Sequence, residues 1–114
     1  MRLCLVASGS NGNCCLLEVG ERRVLLDAGI GPRVLAKRLR PLGLVVSDIT
    51  DVLLTHEHVD HVRGLPGILK QQPELRIHAT RGTRRRLESN LQPHVHLLRP
   101  SASVTLGALR VQPF

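Results

Sequence analysis

The sequence predicts a single α/β domain, and three observations carry that prediction. Short apolar runs of strand length alternate with segments whose apolar residues recur at helical spacing. Clusters of glycine, serine, asparagine and proline punctuate them, as in SGSNGN at residues 8–13 and GIGP at residues 29–32. The 114 residues are 42% apolar yet hold a single aromatic, Phe114, so the core has to be built from Leu, Val and Ile.

Taken in order, residues 2–7 (RLCLVA) read as a first strand and SGSNGN as a dense turn. Residues 14–19 (CCLLEV) and 22–28 (RRVLLDA) flank Gly20-Glu21, the compact connection of a hairpin. Pro32 suits the first turn of a helix over 33–42, because that turn needs no intrahelical N–H. Val34, Leu35, Leu39 and Leu42 form its apolar stripe, Arg33, Lys37, Arg38 and Arg40 face outward, and Gly43 ends it. Residues 52–55 (VLLT) are wholly apolar but for their last member, the pattern of a strand buried on both faces. A second helix is expected over 64–72 and a buried strand over 75–79. A short helix over 83–90 exposes Arg84, Arg85 and Arg86, and strands follow over 95–98 and 104–111.

The charge is unevenly spread. Residues 1–60 carry seven Lys or Arg against seven Asp or Glu, whereas residues 61–114 carry nine against only Glu74 and Glu88. The whole formal charge of +7 therefore lies in the second half, and fourteen of the sixteen cations are Arg. The planar guanidinium fork suits phosphate and carboxylate, so a polyanionic partner is one reading and an arginine-rich solvated surface the other. Stacking of bases on aromatic platforms is nearly ruled out by composition. Disordered and collagen-like classes are excluded by the aliphatic content and the lack of low-complexity tracts. Cys4, Cys14 and Cys15 are an odd count with two adjacent, which does not make a secreted disulfide framework. Alternating packing on a strand is favoured for Cys14 and Cys15 over metal ligation or nucleophilic chemistry. The apolar start is too short for a signal peptide, and no run reaches membrane-spanning length. The expected location is cytoplasmic, with no membrane partner.

The segment that carries chemistry is HEHVDH, residues 56–61. His56, His58, Asp60 and His61 place four metal-ligating side chains within six residues, directly after a buried strand that delivers them to a sheet edge. His56 and His58 point the same way if extended geometry persists, and Asp60 and His61 beyond them can serve a neighbouring ion. Imidazole with carboxylate is the donor set of Zn²⁺, with Mn²⁺ or Fe²⁺ as alternatives. Such an ion lowers the pKa of a bound water from 15.7 to about 7, and Asp60 can orient that water or take its proton. Glu57 is expected to point away. His78, inside an apolar strand, reads as a satisfied core residue, and His94 and His96, on one strand face, as surface histidines.

HEHVDH is the HxHxDH signature of the metallo-β-lactamase superfamily, which the chain resembles over nearly its whole length. The SGSNGN loop and the LLDAG strand end are most similar to the YycJ-like (WalJ-like) branch. The resemblance implies an αββα sandwich, a mixed sheet with flanking helices, holding two metal ions at the edge between its sheets. It implies hydrolysis by a metal-bound hydroxide, and for this branch exonuclease-like attack on phosphodiesters in DNA or RNA. Carried across, His56 and His58 would bind the first ion and Asp60 and His61 the second, with Asp60 beside the nucleophile. Asp27 of LLDAG would fix the ligand loop from behind. Members take a further His, a bridging Asp and a final His from their second half, which nothing between residues 62 and 114 supplies. The chain thus reads as the N-terminal half of that domain, apparently truncated, with apolar faces left uncovered.

Three functions stay open at this level. One is a nuclease whose backbone N–H groups at Ser8, Gly9, Ser10, Asn11, Gly12 and Asn13 cradle a phosphate, although that loop reads equally as a tight turn. Another is a thioester or lactone hydrolase with the same metal chemistry. The third is an inactive fragment that binds nucleic acid through Arg81, Arg84, Arg85 and Arg86.

Overall fold

The computed structural model describes residues 2–8, 12–55 and 62–99, and the backbone of two short strands at 104–106 and 109–111. A six-stranded mixed sheet runs in sequence order. Its strands β1 (Arg2–Ala7), β2 (Cys14–Val19) and β3 (Arg22–Leu26) are antiparallel neighbours. Strands β4 (Asp51–Leu53), β5 (Arg76–Thr80) and β6 (Val95–Leu98) each add in parallel. The parallel additions need crossovers, which contain helices α1 (Pro32–Leu39), α2 (Leu65–Gln71) and α3 (Arg81–Arg86). Strands β7 (Val104–Leu106) and β8 (Leu109–Val111) pair antiparallel as a separate two-stranded sheet. No helix among the described residues is long and apolar enough to cross a membrane.

Register sorts the side chains onto two faces. Leu16, Leu25, Val52 and Ile77 lie in one row across the sheet and are fully buried. They share the main core with Leu35 and Leu39 of α1 and Leu65 and Ile68 of α2. On the opposite face Leu17, Val24, Leu26, Leu53 and Leu98 form a smaller apolar cluster. The register carries that face on to Leu3 and Leu5 of β1, which stand 65% and 72% exposed.

Several elements differ from the sequence reading. The first helix stops at Leu39, and Arg40–Leu42 tighten into a 3₁₀ turn, because Pro41 has no N–H to continue the α-helical ladder. Within it Leu35 and Leu39 are buried while Val34 is 44% exposed. The expected stripe was therefore one residue too wide. The third helix starts earlier, at Arg81, since Thr80 caps it by accepting from the Thr83 N–H. His94 belongs to the 3₁₀ turn Gln92–His94 and shares no strand with His96. The expected single strand over 104–111 is two strands, β7 and β8.

His78 is a buried core residue, as the sequence predicts, but only half satisfied: Nε2 is bonded to Asp51, while Nδ1 has no hydrogen-bond partner among the described residues. The buried Asp51 carboxylate accepts from Arg22 Nη1 at 2.9 Å and from His78 Nε2 at 2.8 Å. Burial would raise the Asp51 pKa, but hydrogen bonds from His78, Thr50 and Arg22, together with the Arg22 charge, hold it at about 2. The network links β3, β4 and β5 and begins at the edge where β3 and β4 start, away from Thr55.

Candidate metal centre

Strands β3 to β6 are parallel, so their C-terminal ends share one edge of the sheet, where open α/β folds place their ligands. Residues 27–30 (DAGI) follow β3 at that edge, and Thr55 follows β4. The sequence-predicted ligands His56, His58, Asp60 and His61 lie outside the described residues, as do Gly9, Ser10 and Asn11. The frame on either side of these segments is described in atomic detail.

Asp27 anchors the entry to HEHVDH. Its carboxylate accepts the Thr55 N–H at 2.8 Å and the Thr55 hydroxyl at 2.7 Å, and its own N–H donates to Leu53 O at 2.8 Å. The residue immediately before His56 is thus held by both oxygens of a buried carboxylate. Asp27 does this with φ at 65°, a left-handed conformation that aspartate tolerates better than most side chains.

The exit is held by the same segment. The Gly64 N–H donates to Ala28 O at 2.7 Å. A Cβ at position 64 would sit 1.8 Å from Ile30 O, so only glycine allows the two backbones to approach this closely. The third attachment is to the SGSNGN loop. The Gly29 N–H donates to Asn13 O at 2.9 Å, and a Cβ on Gly12 would lie 2.5 Å from Gly29 O. Residues 27–29 therefore bond to both flanks of HEHVDH and to the C-terminal end of the glycine-rich loop, and Ile30 packs against the exit.

Of the other predicted candidates, Ser8 lines a cavity at the same edge together with Gly12 and Arg63. His78, His94 and His96 are in or beside β5 and β6, and no three His, Cys, Asp or Glu side chains among the described residues form a metal-binding group. Cys14 is buried and Cys15 half-buried, as alternation on a strand requires. Burial, with the charges of Cys15 and Asp27, pushes the Cys14 thiol up to about 12, which leaves it protonated and unreactive at neutral pH. Iodoacetamide at neutral pH is expected to spare Cys14 in the folded protein and to modify it after denaturation, as peptide mass mapping would show. Two frame residues, Thr55 and Gly64, carry no signal of their own in the sequence. The available signal was position alone: one directly precedes HEHVDH and the other follows it closely.

The family model for the beta-lactamase superfamily domain matches residues 22–114. The chain belongs to the beta-lactamase superfamily. Within it the chain is 34% identical over 79 residues to exodeoxyribonuclease YycJ of Bacillus anthracis, covering 69% of this chain and 30% of that protein. It is 27% identical over 116 residues to exodeoxyribonuclease WalJ of Streptococcus pneumoniae, covering 96% of this chain and 43% of that one. Among solved structures, the metallo-β-lactamase SMB-1 in complex with mercaptoacetic acid superposes with a TM-score of 0.74 at 21% identity, over 98% of this chain and 52% of its own. The chain thus has the metallo-β-lactamase fold, and its matches span between about a third and a half of the length of these proteins.

Proposed function

We propose that this chain carries the metal-binding segment of a metal-dependent hydrolase that cleaves phosphodiester bonds in nucleic acid. The observation that carries the reading is the convergence of residues 27–30 on both flanks of HEHVDH, from the Asp27–Thr55 pair to the Ala28–Gly64 contact. A segment fixed so firmly at both ends is suited to presenting several ligands in one place. The names of the relatives support the substrate: exodeoxyribonucleases YycJ and WalJ, and a ribonuclease of Thermus thermophilus that is 40% identical over 73 residues. Those residues cover 63% of this chain and 17% of that ribonuclease.

On this reading His56 and His58 would hold one ion and Asp60 and His61 a second, and residues 1–114 are the first half of the catalytic domain. Imidazole and carboxylate donors fit Zn²⁺, and also Mn²⁺ or Fe²⁺. When bound, the ions supply an acidified water and positive charge at the phosphate oxygens. Asp60 orients the attacking water and accepts its proton on a carboxylate oxygen. Asp27 and Thr55 hold the chain before His56 in register, and Gly64 holds the chain beyond His61.

The complete protein, supplied with Mn²⁺ or Zn²⁺, is expected to release nucleotides from single-stranded DNA, and His58→Ala to abolish the release. Turnover of an acyl-glutathione thioester without nucleotide release would overturn the nuclease reading. Fewer than about one tightly bound metal per chain, with salt-sensitive DNA binding by the metal-free protein, would point instead to a binding role for Arg81 and Arg84 to Arg86.

A further inference from the structure

Parallel register sets His78 of β5 directly beside His96 of β6, and their ring centres are 5.5 Å apart. His78 is buried and His96 exposed. The Asp51 carboxylate next to His78 is ionised at neutral pH and can only accept a hydrogen bond. With Arg22 already balancing that charge, a neutral imidazole donates through Nε2 and keeps a bare lone pair on Nδ1. This nitrogen is buried and has no hydrogen-bond partner among the described residues. The two nitrogens of an imidazole ring point in nearly opposite directions. Nε2 reaches across to Asp51 on β4, so Nδ1 is turned away from that strand, toward the side on which β6 lies.

We propose that His78 and His96 form a second metal site, which takes one late first-row divalent ion such as Zn²⁺ or Cu²⁺ between β5 and β6. The site uses no residue of HEHVDH and does not depend on the hydrolase reading. Metal-ligating histidines ordinarily give their other ring N–H to a carboxylate, which sets the tautomer and the orientation of the ring. Asp51 does this for His78. Zn–N bonds of about 2.0 Å in tetrahedral geometry put the centres of two bound imidazoles about 5 Å apart, close to the observed 5.5 Å. An ion held by Nδ1 also gives that buried nitrogen the partner it lacks. The exposure of His96 leaves the ion a way in from solvent. His94 belongs to the 3₁₀ turn before β6, and no third His, Cys, Asp or Glu among the described residues completes the group. The remaining coordination positions are therefore open to water or an exogenous donor. Two imidazoles select Zn²⁺ and Cu²⁺ over Mg²⁺ and Ca²⁺, which prefer oxygen ligands.

The test reads this site with the other one silenced. His56→Ala/His58→Ala/His61→Ala removes the imidazoles of HEHVDH, and in that background Zn²⁺ is titrated against a chromophoric chelator. About one Zn²⁺ per chain is expected to stay bound and to raise the thermal unfolding temperature. Cu²⁺ in its place should give an electron paramagnetic resonance spectrum with coupling to two imidazole nitrogens. His96→Gln, an exposed position where folding is not at stake, should abolish the bound ion, the thermal shift and the two-nitrogen signal. His78→Gln should do the same, and Asp51→Asn, verified as folded by circular dichroism, should weaken binding about 10–100-fold. His94→Gln is the control and should match the background. A background that binds no ion would overturn the proposal, leaving Nδ1 to water. So would His96→Gln that binds Zn²⁺ as tightly as the background, or Mg²⁺ bound as tightly as Zn²⁺.

Discussion

Replacing Asp51 by alanine is expected to destabilise the protein by about 3–5 kcal/mol, measured by urea unfolding at neutral pH. The carboxylate is fully buried and neutralises Arg22 while accepting from His78. Removing it leaves a guanidinium and a buried imidazole without the group they were folded around, and that loss exceeds the value of the ion pair itself. The same site gives an acid signature. Its folded pKa of about 2 lies below the ordinary 3.8, so its contribution is complete above about pH 4 and disappears as pH falls toward 2. The parent should lose on the order of 2 kcal/mol of unfolding free energy over that interval. Asp51→Asn should lack this component.

Gly64→Ala is expected to cost about 3 kcal/mol or more and to weaken metal binding at HEHVDH. Gly64 has φ at −82°, which any residue adopts, so the penalty is purely steric. The new methyl group would overlap Ile30 O, a backbone atom with no rotamer to escape into. Relief requires residues 28–30 and 64 to separate, which stretches the Ala28–Gly64 hydrogen bond at the exit of HEHVDH. Gly31→Ala is the matched control, because a Cβ there meets nothing within 4 Å. Thermal unfolding should separate the two variants clearly.

Much of this fold is legible in the sequence, for reasons that can be located. Strands β1 to β3 announce themselves through apolar runs broken by Gly20-Glu21 and SGSNGN, and the helix beginning at Pro32 through its Leu35–Leu39 spacing. Local signals that compete with the apolar period set the remaining boundaries, Pro41 at the end of α1 and Thr80 at the start of α3. Which side of α1 meets the sheet depends on tertiary packing, and so Val34 is exposed despite its apolar character. The sites divide in the same way. HEHVDH is compact in sequence and reads as a unit, whereas Asp51 and His78 are 27 residues apart and nothing local couples them. Asp27 stands out in the sequence only through the family pattern, and its two bonds to Thr55 join residues 28 apart that nothing local couples. Gly64 looks like an ordinary helix-start glycine until Ile30 O is placed against it.

If residues 27–30 set the geometry of HEHVDH as a metal-binding segment, zinc affinity reads their effect directly. Competition against a chromophoric chelator would be read for the parent, Asp27→Asn, Thr55→Val and the double variant, each verified as folded by circular dichroism. Each single variant is expected to bind Zn²⁺ about 10–100-fold more weakly. The double variant should lose little more than either single one, since both break the same contact. Parent-like affinity in folded Asp27→Asn and Thr55→Val would contradict that role for residues 27–30.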